Sequence, residues 1–421
     1  MSKTKNSFGA AAVLASALLC SSSAFAAAMD AGNLKITPYI VTGSESDLLT
    51  SGGAVDKTSP YLAGVGGTPA YSGVGTLEIV NKNTPPGFAN FCTGSLISPT
   101  IVLTAAHCLA EPGAGPVTDL AFSLPNGRPL FGVSADPNPG APAIYFGNGY
   151  SVNPSWDANT EAGDIAVVRL SQPVVGAEIY DIYRGDPMGK QFTQVGTGTA
   201  GWGDVGADSE TGFPEGLFDL RKRVGDNIFE EFGTQFFDAL AQYFGIDLVG
   251  LGGPDQGILL FDFDSGKAQN DVFGLIGTLG DSTLDSLAVS QIGLFDAFGN
   301  LIETNTAPGD SGGPAFIDGK IAGITGFGLT GAILTFDGTF IYCGDPLDID
   351  PSYNVDTGSC TDSSFGEISG DTSVSYYQDW VDAALQPGFR FRFVGAPEPV
   401  SIALVAGGVA GIGALRKRKK K

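Results

Sequence analysis

One histidine, His107, serves a chain of 421 residues. Any chemistry that needs a side chain titrating near neutrality has a single imidazole to draw on. Basic residues are also scarce. The 22 Lys and Arg face 45 Asp and Glu, giving a formal charge of −23 and a pI near 4.2. Phosphate backbones are gripped by clustered Lys and Arg, so the composition argues against a nucleic-acid partner. Such acidity bears on solubility and says nothing about fold. Charged residues of both signs make up only 16% of the chain, whereas glycine occurs 62 times. That balance favours strands, turns and long loops over helical bundles. The length exceeds what one compact core accommodates and suits two domains. Cysteine is limited to positions 20, 92, 108, 343 and 360. Cys20 lies in an N-terminal apolar run, and the other four form an even set, compatible with two disulfides in an exported chain.

The two ends read as targeting segments. Lys3 and Lys5 precede an apolar run from Ala10 to Cys20, and Ala24-Phe25-Ala26 follows as an A-x-A cleavage site. Residues 1–26 are therefore expected to be a secretory signal. At the other end, Pro397-Glu398-Pro399 leads into the apolar stretch Val400 to Leu415 and six basic residues, Arg416 to Lys421. Those 16 apolar residues fall short of the roughly 20 that a spanning helix needs, and the basic end would stay cytoplasmic. A plain membrane anchor is one reading. The three-part order also resembles the PEP-CTERM sorting signal of Gram-negative bacteria, which implies a membrane-associated tail, an exosortase-type partner, and delivery to the cell envelope or the exterior.

Between the ends, residues 27–69 are Gly, Ser and Asp-rich and read as a propeptide or N-terminal arm. From Tyr71, short apolar runs alternate with turns: Val74 to Val80, Phe91 to Ile97, Ile101 to Thr104, Ile165 to Leu170, Gln194 to Trp202, Gly257 to Phe263, Leu287 to Phe295 and Ile321 to Phe327. This predicts antiparallel β structure, a sandwich or barrel. Phe229, Phe232, Phe236, Leu240 and Tyr243 recur at helical spacing, which predicts a surface helix from Asp226 to Gly245. A last helix is expected over Ser373 to Leu385. Asp262-x-Asp264-x-Gly266 carries part of a calcium-loop pattern without its remaining ligands, and Asp345, Asp348, Asp350 and Asp356 form a second acidic cluster. Solvated acidic loops are the simpler reading of both, and neither a metal nor a cofactor is assigned.

The chemistry gathers around Pro308-Gly309-Asp310-Ser311-Gly312-Gly313-Pro314, a tight turn with one hydroxyl at its centre. Taken alone it is either a polar surface turn or a Gly-x-Ser-x-Gly nucleophile elbow. Serine needs a neighbouring base to act as a nucleophile. Imidazole takes and returns the proton, and a carboxylate fixes the imidazole tautomer. Thr104-Ala105-Ala106-His107-Cys108 and Gly163-Asp164-Ile165-Ala166 supply one of each. No histidine follows Ser311, which excludes the α/β-hydrolase order of serine, acid, histidine.

These motifs, with Cys92-Thr93-Gly94-Ser95 and Gly201-Trp202-Gly203, resemble the trypsin/chymotrypsin (S1) serine protease family from about Tyr71 to Leu385. The resemblance implies an all-β fold of two six-stranded antiparallel β-barrels, with an inserted helical segment and a C-terminal helix. The first barrel would span about 70–185 and the second about 186–385, with an insertion at 204–304 and a linker at 386–396 before the tail at 397–421. It implies that His107 is the acid/base, Asp164 its orienter and Ser311 the nucleophile. Gly309 and Ser311 would offer the oxyanion-hole amides, and Asp310 would pair with a newly freed N-terminal amine. Cys92–Cys108 would be the disulfide beside the histidine, with Cys343–Cys360 the remaining pair. The pocket departs from trypsin. Asn305 stands where trypsin has an aspartate, Ala307 replaces a cysteine, and Gly326-Phe327-Gly328 stands for the substrate-pairing Ser-Trp-Gly. Ile40-Val41-Thr42-Gly43 resembles a mature N-terminus, although Tyr39 precedes it and Lys35-Ile36 is another candidate cut. The expected activity is an exported endopeptidase acting on proteins or peptides. A catalytically silent surface-binding or matrix protein, or an esterase using the same triad, are the alternatives.

Overall fold

The computed structural model describes residues 39–42, 70–86, 88–124, 143–203, 206, 222–244, 253–254, 256–268, 270–277, 292–295, 297, 301–307, 309–330 and 363–395. A first strand, β1 (Tyr39–Thr42), precedes two large sheets in the chain. The first is built from β2 (Val74–Asn81), β3 (Asn90–Ser98), β4 (Ile101–Thr104), β5 (Val117–Leu124), β6 (Ala143–Val152) and β7 (Ala166–Leu170). Its order is β6-β5-β2-β3-β4-β7, and pairing of β6 with β7 closes it into a six-stranded antiparallel barrel.

Side chains alternate along these strands as a barrel requires. On β2, Leu77 and Ile79 are fully buried in the barrel core with Leu96, Val102, Phe122 and Val168. The preceding Thr76 points the other way and is also buried, and its hydroxyl donates to Thr197, just beyond the end of β8, at 2.9 Å. The outer face of β2 is therefore an interface between sheets, which explains why the strand lacks a clean polar side.

The second sheet contains β8 (Gln191–Gly196), β10 (Arg223–Ile228), β11 (Glu231–Phe232), β12 (Ile258–Asp262), β14 (Pro314–Ile317), β15 (Lys320–Thr330) and β16 (Glu367–Ser373). Its order is β10-β8-β14-β15-β16-β12-β11. It curls as a half-barrel beside the closed one, which gives the all-β, chymotrypsin-like architecture the motifs imply. Phe192, Phe229 and Phe261 fill its centre, with Phe192 and Phe229 stacked at 4.0 Å between centroids. A third, three-stranded sheet places β1 between β9 (Thr199–Trp202), which it meets in parallel, and β13 (Thr304–Asn305), which it meets antiparallel. A short β17 (Arg392–Phe393) adds to the edge of β6.

Four helices occur among the described residues: α1 (His107–Ala110), α2 (Gly233–Phe244), α3 (Val272–Gly277) and α4 (Gln378–Ala384). The helix expected from Asp226 starts later, at Gly233, because Asp226 to Ile228 belong to β10. Phe229 is claimed by the half-barrel core rather than by a helix face. The closing helix is shorter than expected at both ends. Its Val381 and Ala384 pack into the main core, and Arg184 meets Asp382 through two hydrogen bonds of 2.8 and 2.7 Å. The single strand expected over Gln194 to Trp202 is two, broken at Thr197-Gly198. No helix among the described residues is long and apolar enough to cross a membrane. The signal segment, the tail, Cys343, Cys360 and the acidic cluster Asp345 to Asp356 lie outside the described residues.

Candidate active site

His107 opens α1, immediately after β4, where the closed barrel faces the half-barrel. Asp164 precedes β7, the neighbour of β4, so the two residues arrive side by side from paired strands. Asp164 is buried and grips His107 twice. Its Oδ1 accepts the His107 backbone N–H at 2.8 Å, and its Oδ2 meets Nδ1 at 2.7 Å. The carbonyl of Asp164 in turn accepts the Thr372 hydroxyl at 2.9 Å, anchoring the first-barrel carboxylate to β16. Burial pulls the imidazole toward the neutral form. The charge of Asp164 and its hydrogen bond, with Glu161 and Glu111 adding to them, outweigh that effect and raise the His107 pKa to about 9. With Asp164 at Nδ1, the free Nε2 is the nitrogen able to exchange a proton with a reactant.

Ser311 reaches this pair from the half-barrel. Its carbonyl accepts the Thr93 N–H of β3 at 2.8 Å, and the Thr93 hydroxyl donates to the Gly309 carbonyl at 2.8 Å. The Cys92–Cys108 disulfide stands between the two halves. Cys108 Sγ lies 3.8 Å from His107 Nε2 and 3.8 Å from the Ser311 carbonyl oxygen. Gly312 makes the approach possible. Its φ is +80°, and a Cβ there would lie 2.1 Å from Thr104 Oγ1 and 2.5 Å from the Thr93 carbonyl. Only glycine tolerates both demands. Ser311 Oγ makes no hydrogen bond to His107 Nε2 among the described residues, a contact that commonly tightens only when substrate is bound.

Asp310 points away from the imidazole. It is buried, and its carboxylate accepts N–H groups from Gly198 at 3.0 Å and Ala307 at 3.4 Å. Burial lifts its pKa to about 7 against the pull of those hydrogen bonds and of Arg223. The break between β8 and β9 has its cause here. The Gly198 N–H serves Asp310, and the Thr197 N–H serves the Thr93 hydroxyl at 3.1 Å, so neither can continue a ladder. β1 runs beside this point, with Tyr39 opposite Thr199 and Ile40 opposite Ala200.

Asn305 is buried on β13 against Val41 of β1. Its Oδ1 accepts the Ser369 hydroxyl at 2.6 Å and the Thr306 N–H at 2.9 Å, and the Thr306 hydroxyl donates to Ser369 at 2.8 Å. Ser369 escaped the sequence reading because it sits in no motif. β16 brings it opposite Gly328 of β15. Gly326 falls at an irregularity in that pairing, and a Cβ there would lie 3.4 Å from Asp164 Oδ2. The Phe327 ring lies over Gly370.

Residues 65–227 match the family model described as Trypsin. That stretch holds His107 and Asp164 and ends before Ser311. Brachyurin of Leptuca pugilator is 33% identical over 155 residues, covering 34% of this chain and 61% of the relative, so the match spans less than two thirds of that protein. Among solved structures, HL collagenase aligns with a TM-score of 0.42 at 14% identity, over 76% of this chain and 95% of its own. Neuropsin, a serine protease expressed in the limbic system of mouse brain, aligns with a TM-score of 0.41 at 15% identity, over 75% and 96%. The family match falls on the part of the chain that carries the closed barrel, His107 and Asp164.

Proposed function

We propose that the chain is an exported serine endopeptidase working through His107, Asp164 and Ser311. The observation that carries this reading is the doubly held His107–Asp164 pair, facing a serine turn that is fixed to the same barrel through Thr93. With the His107 ring in its neutral form, Ser311 Oγ attacks the peptide carbonyl while Nε2 takes its proton. Asp164 keeps the other ring proton at Nδ1 and stabilises the imidazolium. The backbone N–H groups of Gly309 and Ser311 receive the oxyanion, and an interaction of this kind is worth about 10²–10³ in rate. Nε2 then protonates the leaving amine, and water releases the acyl group by the same steps in reverse.

Asn305, Ser369 and Thr306 give the pocket a neutral polar base, with no fixed charge to select Arg or Lys. Gly326, Phe327 and Gly328 form the edge that pairs with substrate backbone. Activation follows a cut ahead of Ile40. Tyr39 of β1 pairs with Thr199, the neighbour of the Gly198 whose N–H Asp310 accepts, and the buried Asp310 carboxylate is the counter-ion for a freed amine at Ile40. Residues 1–26 direct export, and the tail at 397–421 is a sorting signal handled by an exosortase-type enzyme at the envelope of a Gram-negative cell. Fluorophosphonate labelling of the chain with the residues before Ile40 removed tests the central claim. Labelling is expected in the wild type and absent in Ser311→Ala; no serine-dependent labelling would reject the enzyme.

A further inference from the structure

The half-barrel holds a second cluster of chemically loaded side chains, remote in sequence from the triad motifs. Glu230 lies just before β11, Asp262 ends β12, Asp264 follows two residues later, and Glu303 immediately precedes β13. All four are buried, with Asp262 and Asp264 fully so. One carboxylate oxygen from each of Asp262, Asp264 and Glu303 lies within 4.8 Å of the others.

Part of this cluster is rigidly oriented. Asp262 Oδ2 accepts N–H groups from Val272 at 2.7 Å and Phe273 at 3.1 Å. Glu303 accepts the Asp264 N–H at 2.7 Å through Oε1 and the Leu294 N–H at 2.7 Å through Oε2. Glu230 Oε2 accepts the Asp262 N–H at 3.4 Å. The rest is unsatisfied. Both oxygens of Asp264 are buried without a hydrogen-bond partner, whereas Glu230 and Asp262 share a side-chain hydrogen bond.

Buried carboxylates this close cannot all be ionised without a counter-charge. A proton shared between Glu230 and Asp262 neutralises part of the cluster, but it leaves the Asp264 carboxylate buried beside the carboxylates of Asp262 and Glu303. A cation satisfies the same oxygens directly. The donor set is all oxygen, with Asp262, Asp264 and Glu303 converging, which selects a hard ion such as calcium that accepts oxygen ligands in flexible geometry. Magnesium demands a near-ideal octahedron and keeps much of its water, which a dry cluster of this kind suits poorly.

We propose that Asp262, Asp264, Glu303 and Glu230 form a calcium site that fastens β12 to β13. Asn227 already bridges these strands, with Nδ2 donating to the carbonyls of Asp262 at 2.8 Å and Thr304 at 2.9 Å. The ion adds a bond of the same sense one residue away from Thr304 and two from Asn305. Binding at this site does not depend on the protease reading and is measured without substrate.

The test uses the full chain, stripped with a chelator and titrated with calcium chloride in equilibrium dialysis and thermal unfolding. Asp264→Asn and Glu303→Gln are each expected to bind one ion fewer than the wild type. At a hundredfold excess over Kd, calcium is expected to raise the wild-type melting temperature by about 5 °C or more. In chelator the order reverses: Asp264→Asn, relieved of one uncompensated charge, melts at or above the wild type, whereas in calcium it melts below. A purely structural aspartate would lower the melting temperature in both conditions, and that result overturns the proposal. Equal ion counts in wild type and both variants overturn it as well. Equal occupancy by magnesium at the same concentration overturns the assignment to calcium. If Asp264→Asn does not fold, the ion count of Glu303→Gln decides.

Discussion

Replacing Asp164 with asparagine isolates the electrostatics of the His107 pair, and the single histidine makes the result unusually direct to read. The wild-type carboxylate raises the imidazole from an ordinary value of 6.5 to about 9 in spite of burial. At 1.36 kcal/mol per pKa unit, that interaction is worth about 3 kcal/mol to the folded state. The sign follows from the direction of the shift. A folded-state pKa above the unfolded one means that folding favours the protonated ring. The contribution is therefore complete below pH 6.5 and disappears as the pH rises through about 9. Asp164→Asn keeps an acceptor for the His107 backbone N–H, so the 2.8 Å anchor survives while the charge is lost. With the charge gone, burial dominates and the ring is expected to titrate at or below 6.5. Histidine-selective NMR gives one resonance set, which should titrate near 9 in the wild type and fall by two units or more in the variant. Urea unfolding should show a deficit of about 3 kcal/mol at pH 5.5 that shrinks toward zero by pH 10. A side-chain amide donating to Nδ1 also forces the proton onto Nε2, removing the base that Ser311 needs, at a cost in rate of about 10⁴. A wild-type ring titrating near 6.5, or a stability deficit unchanged between pH 5.5 and 10, would refute the reasoning.

Gly312→Ala forces a Cβ to within 2.1 Å of Thr104 Oγ1 at a φ of +80°. It is expected to destabilise the fold by about 2–4 kcal/mol and to displace Ser311, read by urea unfolding and by loss of fluorophosphonate labelling. Replacing Cys92 and Cys108 together with serine opens a loop of 16 residues and should cost about 3 kcal/mol of stability. The same variant should lose labelling beyond what destabilisation explains, because Cys108 Sγ packs between His107 Nε2 and the Ser311 carbonyl.

What the sequence revealed and what it hid divide along a physical line. The segments around His107, Asp164 and Ser311 were legible because each demand is local. Gly312 must be glycine for a contact made at its own Cα, and Asp164 sits beside the strand that pairs with β4. The strands were partly legible from short apolar runs, although Val117–Leu124 and Ala143–Val152 of the closed barrel and Glu367–Ser373 of the half-barrel carried too little contrast to stand out. Val117–Leu124 and Glu367–Ser373 are buried along nearly their whole length, so burial removed the polar alternation that marks a strand. The phenylalanine spacing misled for a related reason. Phe229 fits the helical period with Phe232 and Phe236, but the half-barrel centre between Phe192 and Phe261 holds it more strongly than local periodicity could. The acidic site lay furthest out of reach. Asp262-x-Asp264 was visible as a fragment, while Glu230 and Glu303 join it only after β10, β12 and β13 are assembled. The same assembly places Glu303 two residues from Asn305 and sets Asn305 against β1. Three features that look unrelated along the chain, the acidic fragment, Asn305 and Ile40-Val41, therefore meet at β13. A perturbation of β13 should reach all three, whereas a perturbation of β4 or β7 should reach the His107–Asp164 pair and, through Thr104 and Thr93, the Ser311 turn.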